Sequence, residues 1–203
     1  MSSDVRRPRA PRRAPDERRA GILAAASALA AERGLSAVTM RAVAARAGVA
    51  PALVAHYADG GMDGLVAAAF EDIVARELVE VTAIADAQPE PRASLAALVR
   101  TVAGGERDAV TGTWVEAWAL GRRNEPLAAA VRRQMNAWQA LLERIIDAGA
   151  ASGAFRVADV GEAAWQALGM IDGVNAQSLV RWGDTSERSA LLLRAIEGML
   201  GAG

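Results

Sequence analysis

Cysteine is absent from the chain, which excludes disulfides, thiolate metal sites and a cysteine nucleophile. Histidine occurs once, as His56, so no histidine pair exists to build a metal site or a catalytic relay. Aromatic residues make up only 4% and β-branched runs are scarce, which weighs against sheets. No stretch reaches about 18 uninterrupted apolar residues, so no membrane span is expected. The opening "MSSDVRRPRAPRRAPDERR" lacks the apolar centre of a secretion signal. Together with the missing cysteines this implies a cytoplasmic protein. No nucleophile–base pair, ligand cluster or phosphate-cradling glycine loop is recognisable, so an enzyme is not expected and no cofactor is implied. Lysine is also absent; every basic side chain is arginine, a choice that carries no functional weight.

What is present is a folding sequence. Hydrophobic residues reach 52%, with alanine dominant, and 203 residues suffice for a small domain joined to a larger one. The balance favours an all-α protein. The net charge of −1 hides an asymmetry: residues 1–57 carry ten Arg against four acids, and the remainder 13 Arg against 20 acids. A basic front on an acidic back suggests that only the front meets a polyanion.

Residues 1–15, rich in Arg and Pro, read as a disordered basic arm. Residues 16–61 then read as three helices. The first starts near Asp16, places Ile22, Ala26, Leu29 and Ala30 on one face, and stops at Gly34. Thr39 caps a short helix, Met40–Ala47, which Gly48 ends. Pro51 opens the third, which runs to Tyr57. The turn glycine lets the last two helices cross steeply, with Ala44 and Val49 as a small apolar joint. This is a helix-turn-helix pattern, in which the third helix lies in the major groove. Residues 62–203 read as a helical body. A long helix covers roughly Met62–Ala87, with Leu65, Phe70, Ile73, Val74, Leu78 and Val81 as its apolar set. Further helices follow at about Ala93–Ala103, Asp108–Arg122, Glu125–Ala151, Ala158–Trp182 and Thr185–Leu200.

The segment from Gly21 to Phe70, "GILAAASALAAERGLSAVTMRAVAARAGVAPALVAHYADGGMDGLVAAAF", resembles the DNA-binding domain of the TetR family of transcriptional repressors. The marks are an Ala-rich stretch followed by "ERG", "T-x-R-x-V-A" at 39–44, "AGV" at 47–49 and "HY" at the end of the recognition helix. In the back half, Trp114 and Trp118, "GAASGAF" at 149–155 and "IDG" at 171–173 are similar to the ligand-binding domain of the BetI-like subgroup. The resemblance implies that Thr39 and Arg41 hold phosphates, with Arg46 as a further backbone contact. It places Pro51, Ala52, His56 and Tyr57 toward the groove, and lets the arm reach phosphates or the minor groove. Many relatives carry a lysine near Gly60–Gly61, where this chain has none.

For the body, a cavity lined by Phe70, Trp114, Trp118, Met135, Trp138, Trp165 and Asp172 is expected to take a small-molecule inducer. Indole faces attract cations, and Glu116 or Asp172 adds charge. The last two helices carry small residues (Ala163, Ala164, Ala167, Gly169, Gly173, Ala176). They also carry an apolar face of Leu191, Leu192, Ile196 and Leu200, set opposite Glu187, Arg188 and Arg194. They are expected to form a homodimer that reads a palindromic double-stranded operator. The whole reads as a ligand-responsive regulator, a repressor released by its inducer, in which the ligand moves the long fourth helix. The alternatives are a helical enzyme, or a small-molecule-binding protein whose head does not bind DNA.

Overall fold

A computed structural model describes residues 14–182 and 187–202. Among them are nine α-helices and one 3₁₀ turn, with no strand, in agreement with the all-α reading. Residues 1–13 of the basic arm lie outside the described residues, as does the expected break at Gly183-Asp184.

The head consists of α1 (Pro15–Arg33), the 3₁₀ turn Leu35–Ala37, α2 (Met40–Ala47) and α3 (Pro51–Tyr57). Helix α1 begins one residue earlier than expected, because Pro15 takes the first position, where its missing N–H costs nothing. Thr39 caps α2 by accepting from the Ala42 N–H. Gly48 ends α2 in the left-handed conformation, φ 67°. The Val49 N–H then donates to the Ala44 carbonyl at 3.0 Å, so the expected apolar joint is also a hydrogen-bonded one. Helix α3 buries Val54 completely, and Ala58 just beyond it is 8% exposed.

The body comprises α4 (Gly61–Asp86), α5 (Pro91–Ala103), α6 (Asp108–Gly121), α7 (Glu125–Ala151), α8 (Val160–Ser178) and α9 (Arg188–Met199). Helix α4 is the spine: it packs on α1 of the head and on α5, α6 and α7 of the body. Asn124 caps α7 through its side chain, which accepts from the Leu127 N–H. Asp159 caps α8 in the same way at the Glu162 N–H, so α8 starts two residues later than expected. It also ends at Ser178 rather than Trp182, followed by Arg181 at φ 57°. The "GAASGAF" turn has a packing reason. The Phe155 ring lies so close over Gly149 that an added Cβ would fall 2.0 Å from Cδ2.

Two apolar clusters hold the chain. One joins α1–α3 to the near parts of α4, α6 and α7 through Leu65, Phe70, Ala117, Leu127 and Ala130. The other fills the far end of the body, around Leu95, Leu98, Leu142, Ile146, Ile196 and Leu200. The head core therefore does not close at residue 61; it continues into the body. One expectation for α9 is corrected. Arg188 is not on a solvated face but 7% exposed, with Nε donating to the Ala103 carbonyl at 3.0 Å. The last carbonyls of α5 lack helical partners, and a guanidinium satisfies one of them.

Truncating Val54, which is fully buried, is expected to cost about 2 kcal/mol. Urea unfolding of Val54→Ala against wild type checks this; a cost below roughly 0.5 kcal/mol would show that α3 is not held by this contact.

Candidate DNA-binding surface and ligand cavity

Helix α3 turns Pro51, Ala52, Ala55 and His56 outward while Val54 faces in. Tyr57 is half-buried against the head core, and its ring meets that of His56 edge-on, centroids 4.9 Å apart. Tyr57 thus supports His56 as much as it presents itself. Thr39 and Arg41 are exposed at the start of α2. Arg46 is exposed as well, but its guanidinium is held by both carboxylate oxygens of Glu32 on α1, with Nη1 donating at 2.6 Å. A phosphate would have to replace Glu32 there, a competition the sequence spacing did not disclose.

The "ADGG" loop is shaped by its glycines. Gly60 and Gly61 have φ of 74° and 69°, and a Cβ on Gly64 would fall 2.0 Å from the Asp59 carbonyl oxygen. Arg19 of α1 pairs with Asp59 at 3.3 Å, tying this loop back to the first helix. The loop is built for a tight chain reversal, and that requirement occupies positions where a long basic side chain was sought.

In the body, a cavity opens between α4, α5, α6, α7 and α8. Five of the expected residues line it: Trp114, Trp118, Met135, Trp138 and Asp172. Two do not. Phe70 is fully buried behind Trp114, edge-on to it at 5.1 Å. Trp165 is 65% exposed and lies in a groove between α7 and α8, on the outer side of α8. That groove meets the cavity at Met135, Leu168 and Asp172. Glu116 also departs from expectation: it points to the head, and the carboxylate beside the tryptophans is Glu77.

Glu77 was missed although the sequence carries a signal for it. It falls on the same helical stripe as Phe70, Ile73, Val74 and Val81, where an acid has no place without a partner. It is 8% exposed; burial pushes its carboxyl up to about 7, while Arg107, 3.6 Å away, pulls it back down. Asp172 is pushed up to about 6 by burial alone. Asn175, also missed, donates to the Val102 carbonyl at 3.1 Å but leaves Oδ1 buried with no partner among the described residues. The Trp138 indole N–H is buried and unpartnered likewise. Three tryptophans, two desolvated carboxyls and Asn175 thus line one space, and the Trp138 N–H and Asn175 Oδ1 lie buried beside it without partners among the described residues. The space itself is tight: the cavity volume is about 40 Å³, enough for roughly three waters.

A helix-turn-helix head fused to a helical body with an internal, mostly apolar cavity is the architecture of a DNA-binding regulator. Comparison with known proteins specifies it further. Residues 22–69 match the profile of bacterial regulatory proteins of the tetR family. Residues 89–201, more than half of the chain, match that of the BetI-type transcriptional repressor C-terminal domain. The chain belongs to the TetR family of transcriptional regulators. The fold is similar to that of a TetR-family protein from Rhodococcus sp. (TM-score 0.76, 23% identity, 91% of this chain and 99% of that one). It is similar also to a TetR transcription regulator from Haloarcula marismortui (0.74, 20%, 92% and 98%). A protein from Saccharomonospora viridis, described as a transcriptional regulator in complex with choline, is comparably similar (0.74, 22%, 92% and 96%). No curated protein matches the chain by sequence.

The two raised carboxyls have a consequence for stability. Between about pH 4.5 and 7 the folded chain keeps a proton on Glu77 that the unfolded chain has lost, so stability falls as pH rises through that window. Asp172 acts in the same direction from about pH 4 to 6. The melting temperature of Glu77→Gln is expected to fall less from pH 5 to pH 8 than that of wild type. An equal fall in both would contradict the assigned burial.

Proposed function

We propose that the chain is a homodimeric, ligand-responsive regulator that binds a palindromic DNA operator and is released by a small organic cation. The observation that carries the DNA part is α3. Its outward face offers Pro51, Ala52 and His56 from a helix whose inward face is fixed by Val54. Small apolar groups suit thymine methyls, and His56 with the Tyr57 hydroxyl supplies polar contacts to base edges or backbone. Thr39 and Arg41 flank this face and suit phosphates. Arg46 joins them once Glu32 yields it.

The dimer reading rests on what α8, α9 and the segment after α8 leave uncovered. Trp165, Val180, Trp182 and Leu191 are all more than half exposed. Gly169 and Gly173, on the same side of α8 as Trp165, have open space where a Cβ would stand. Large exposed apolar side chains beside a smooth strip favour close approach of a second copy, which a palindrome also requires.

The ligand reading rests on the cavity chemistry. A monocation placed against Trp114, Trp118 and Trp138 gains from the indole faces. It also favours the ionised forms of Glu77 and Asp172, which burial disfavours. The choline held by the Saccharomonospora viridis protein is a cation of this kind. Because the cavity is tight, such a ligand has to move the walls, and the dimer responds only as far as the ligand prefers the moved state.

Two measurements test this reading. In gel shifts with the DNA upstream of its own gene, Arg41→Ala is expected to reduce the slope of log affinity against log salt by roughly one unit. His56→Ala is expected to weaken specific binding by about 1–3 kcal/mol, and unchanged affinity in both variants would count against α2 and α3 as the DNA-facing elements. For the ligand, choline is expected to change tryptophan emission saturably, with Glu77→Gln weakening the response. Indifference to choline and to other small organic cations would overturn the cation assignment.

A further inference from the structure

Helix α6 carries residues of two kinds on opposite sides. Trp114 and Trp118 line the cavity. Glu116, between them in sequence and about 200° round the helix from each, reaches the other way. Its Oε2 accepts from the backbone N–H of Leu35 at 2.6 Å, across 81 residues of chain. Leu35 opens the 3₁₀ turn that joins α1 to α2, and its side chain is 1% exposed. Gly34 makes the approach possible: an added Cβ would fall 2.3 Å from Glu116 Oε1, and its φ of 87° disfavours any side chain. Ala117, fully buried next to Glu116, belongs to the same apolar cluster as Leu35, Val43 and Val54. Trp118 packs on that cluster as well as lining the cavity.

We infer that Glu116 is a positioning residue that couples the cavity wall to the DNA-binding head, by clasping the turn that sets the angle between α1 and α2. A half-buried carboxylate bonded to a backbone N–H is a strong, directional contact, and a backbone group cannot turn away as a side chain can. Any displacement of Trp114 or Trp118 that a ligand needs in so tight a cavity moves α6, and the clasp passes that movement to the head. This route is separate from α4, which touches the head by apolar packing. The inference builds on the ligand-responsive reading of the cavity.

The test is a double-mutant cycle read by hydrogen exchange at the Leu35 amide in the full-length protein, with no ligand or DNA added. Trp118→Ala alters the cavity wall and is expected to speed Leu35 exchange by about threefold or more. Glu116→Ala removes the acceptor and is expected to speed it by about tenfold. The double variant is expected to match Glu116→Ala alone. Glu116→Gln, which keeps an acceptor oxygen, is expected to restore the response to Trp118→Ala. Trp118→Phe serves the same cycle with a smaller change should the alanine variant fail to fold. Independent, multiplying effects would overturn the inference, as would a Leu35 amide indifferent to Trp118. Because no ligand takes part, this outcome is separate from the choline titration, which decides the cavity reading on its own.

Discussion

Everything the head presents to DNA depends on the burial of one side of a seven-residue helix. A helix of that length has no stability of its own, so α3 exists because Val54 and Ala58 are sealed against its neighbours. That seal requires α2 to stop at Gly48 and the chain to reverse within two residues, with the Val49–Ala44 hydrogen bond closing the joint. It requires α1 to offer small side chains, and Ala25, Ala26 and Ala30 do so. The outward residues of α3 are then positioned by consequence. The same logic explains the glycines after Tyr57: the long α4 has to start immediately behind α3, and only a left-handed, side-chain-free turn lets it.

The packing also explains why head and body are one mechanical object. The first apolar cluster runs from Ile22 through Val54 to Phe70, Ala117 and Leu127, so α4, α6 and α7 all share it. Phe70 illustrates the arrangement: it lies in the head-side cluster and holds the edge of Trp114, which faces the cavity. A body built this way has no soft layer between cavity and head. Of the cavity's walls, α4 and α6 also pack directly against α1 of the head.

Much of this was legible in the residues. The head was, because its punctuation is local: Thr39, Gly48 and Pro51 mark helix ends by backbone chemistry that needs no tertiary contact. The ends of α8 were not, since Asp159 had to be recognised as a cap and the stop after Ser178 depends on packing. In the cavity, Trp114 and Trp118 were read from their i, i+4 spacing and Trp138 from its place in the middle of α7, but direction was harder. Trp165 faces out on the side of α8 that carries Gly169 and Gly173, where an added Cβ would meet nothing within 4 Å among the described residues. Phe70 was expected to line the cavity and lies one layer behind it. Glu116 was assigned to the tryptophans on proximity in sequence, although two residues along a helix is almost a half-turn away. Glu77 was the opposite error: an acid on a buried stripe is a visible irregularity. Arg188 was different, since its role as a cap for α5 arises from a contact spanning 85 residues.

In the proposed function, two copies of α3, held at a fixed separation, read DNA. Selection of bound duplexes from a random pool by the full-length protein tests it most directly. The expected result is enrichment of an inverted repeat whose half-sites are about one helical turn apart, or a related spacing, with enrichment lost in His56→Ala. Recovery of no sequence, or of a single unsymmetrical site by a folded dimer, would contradict it.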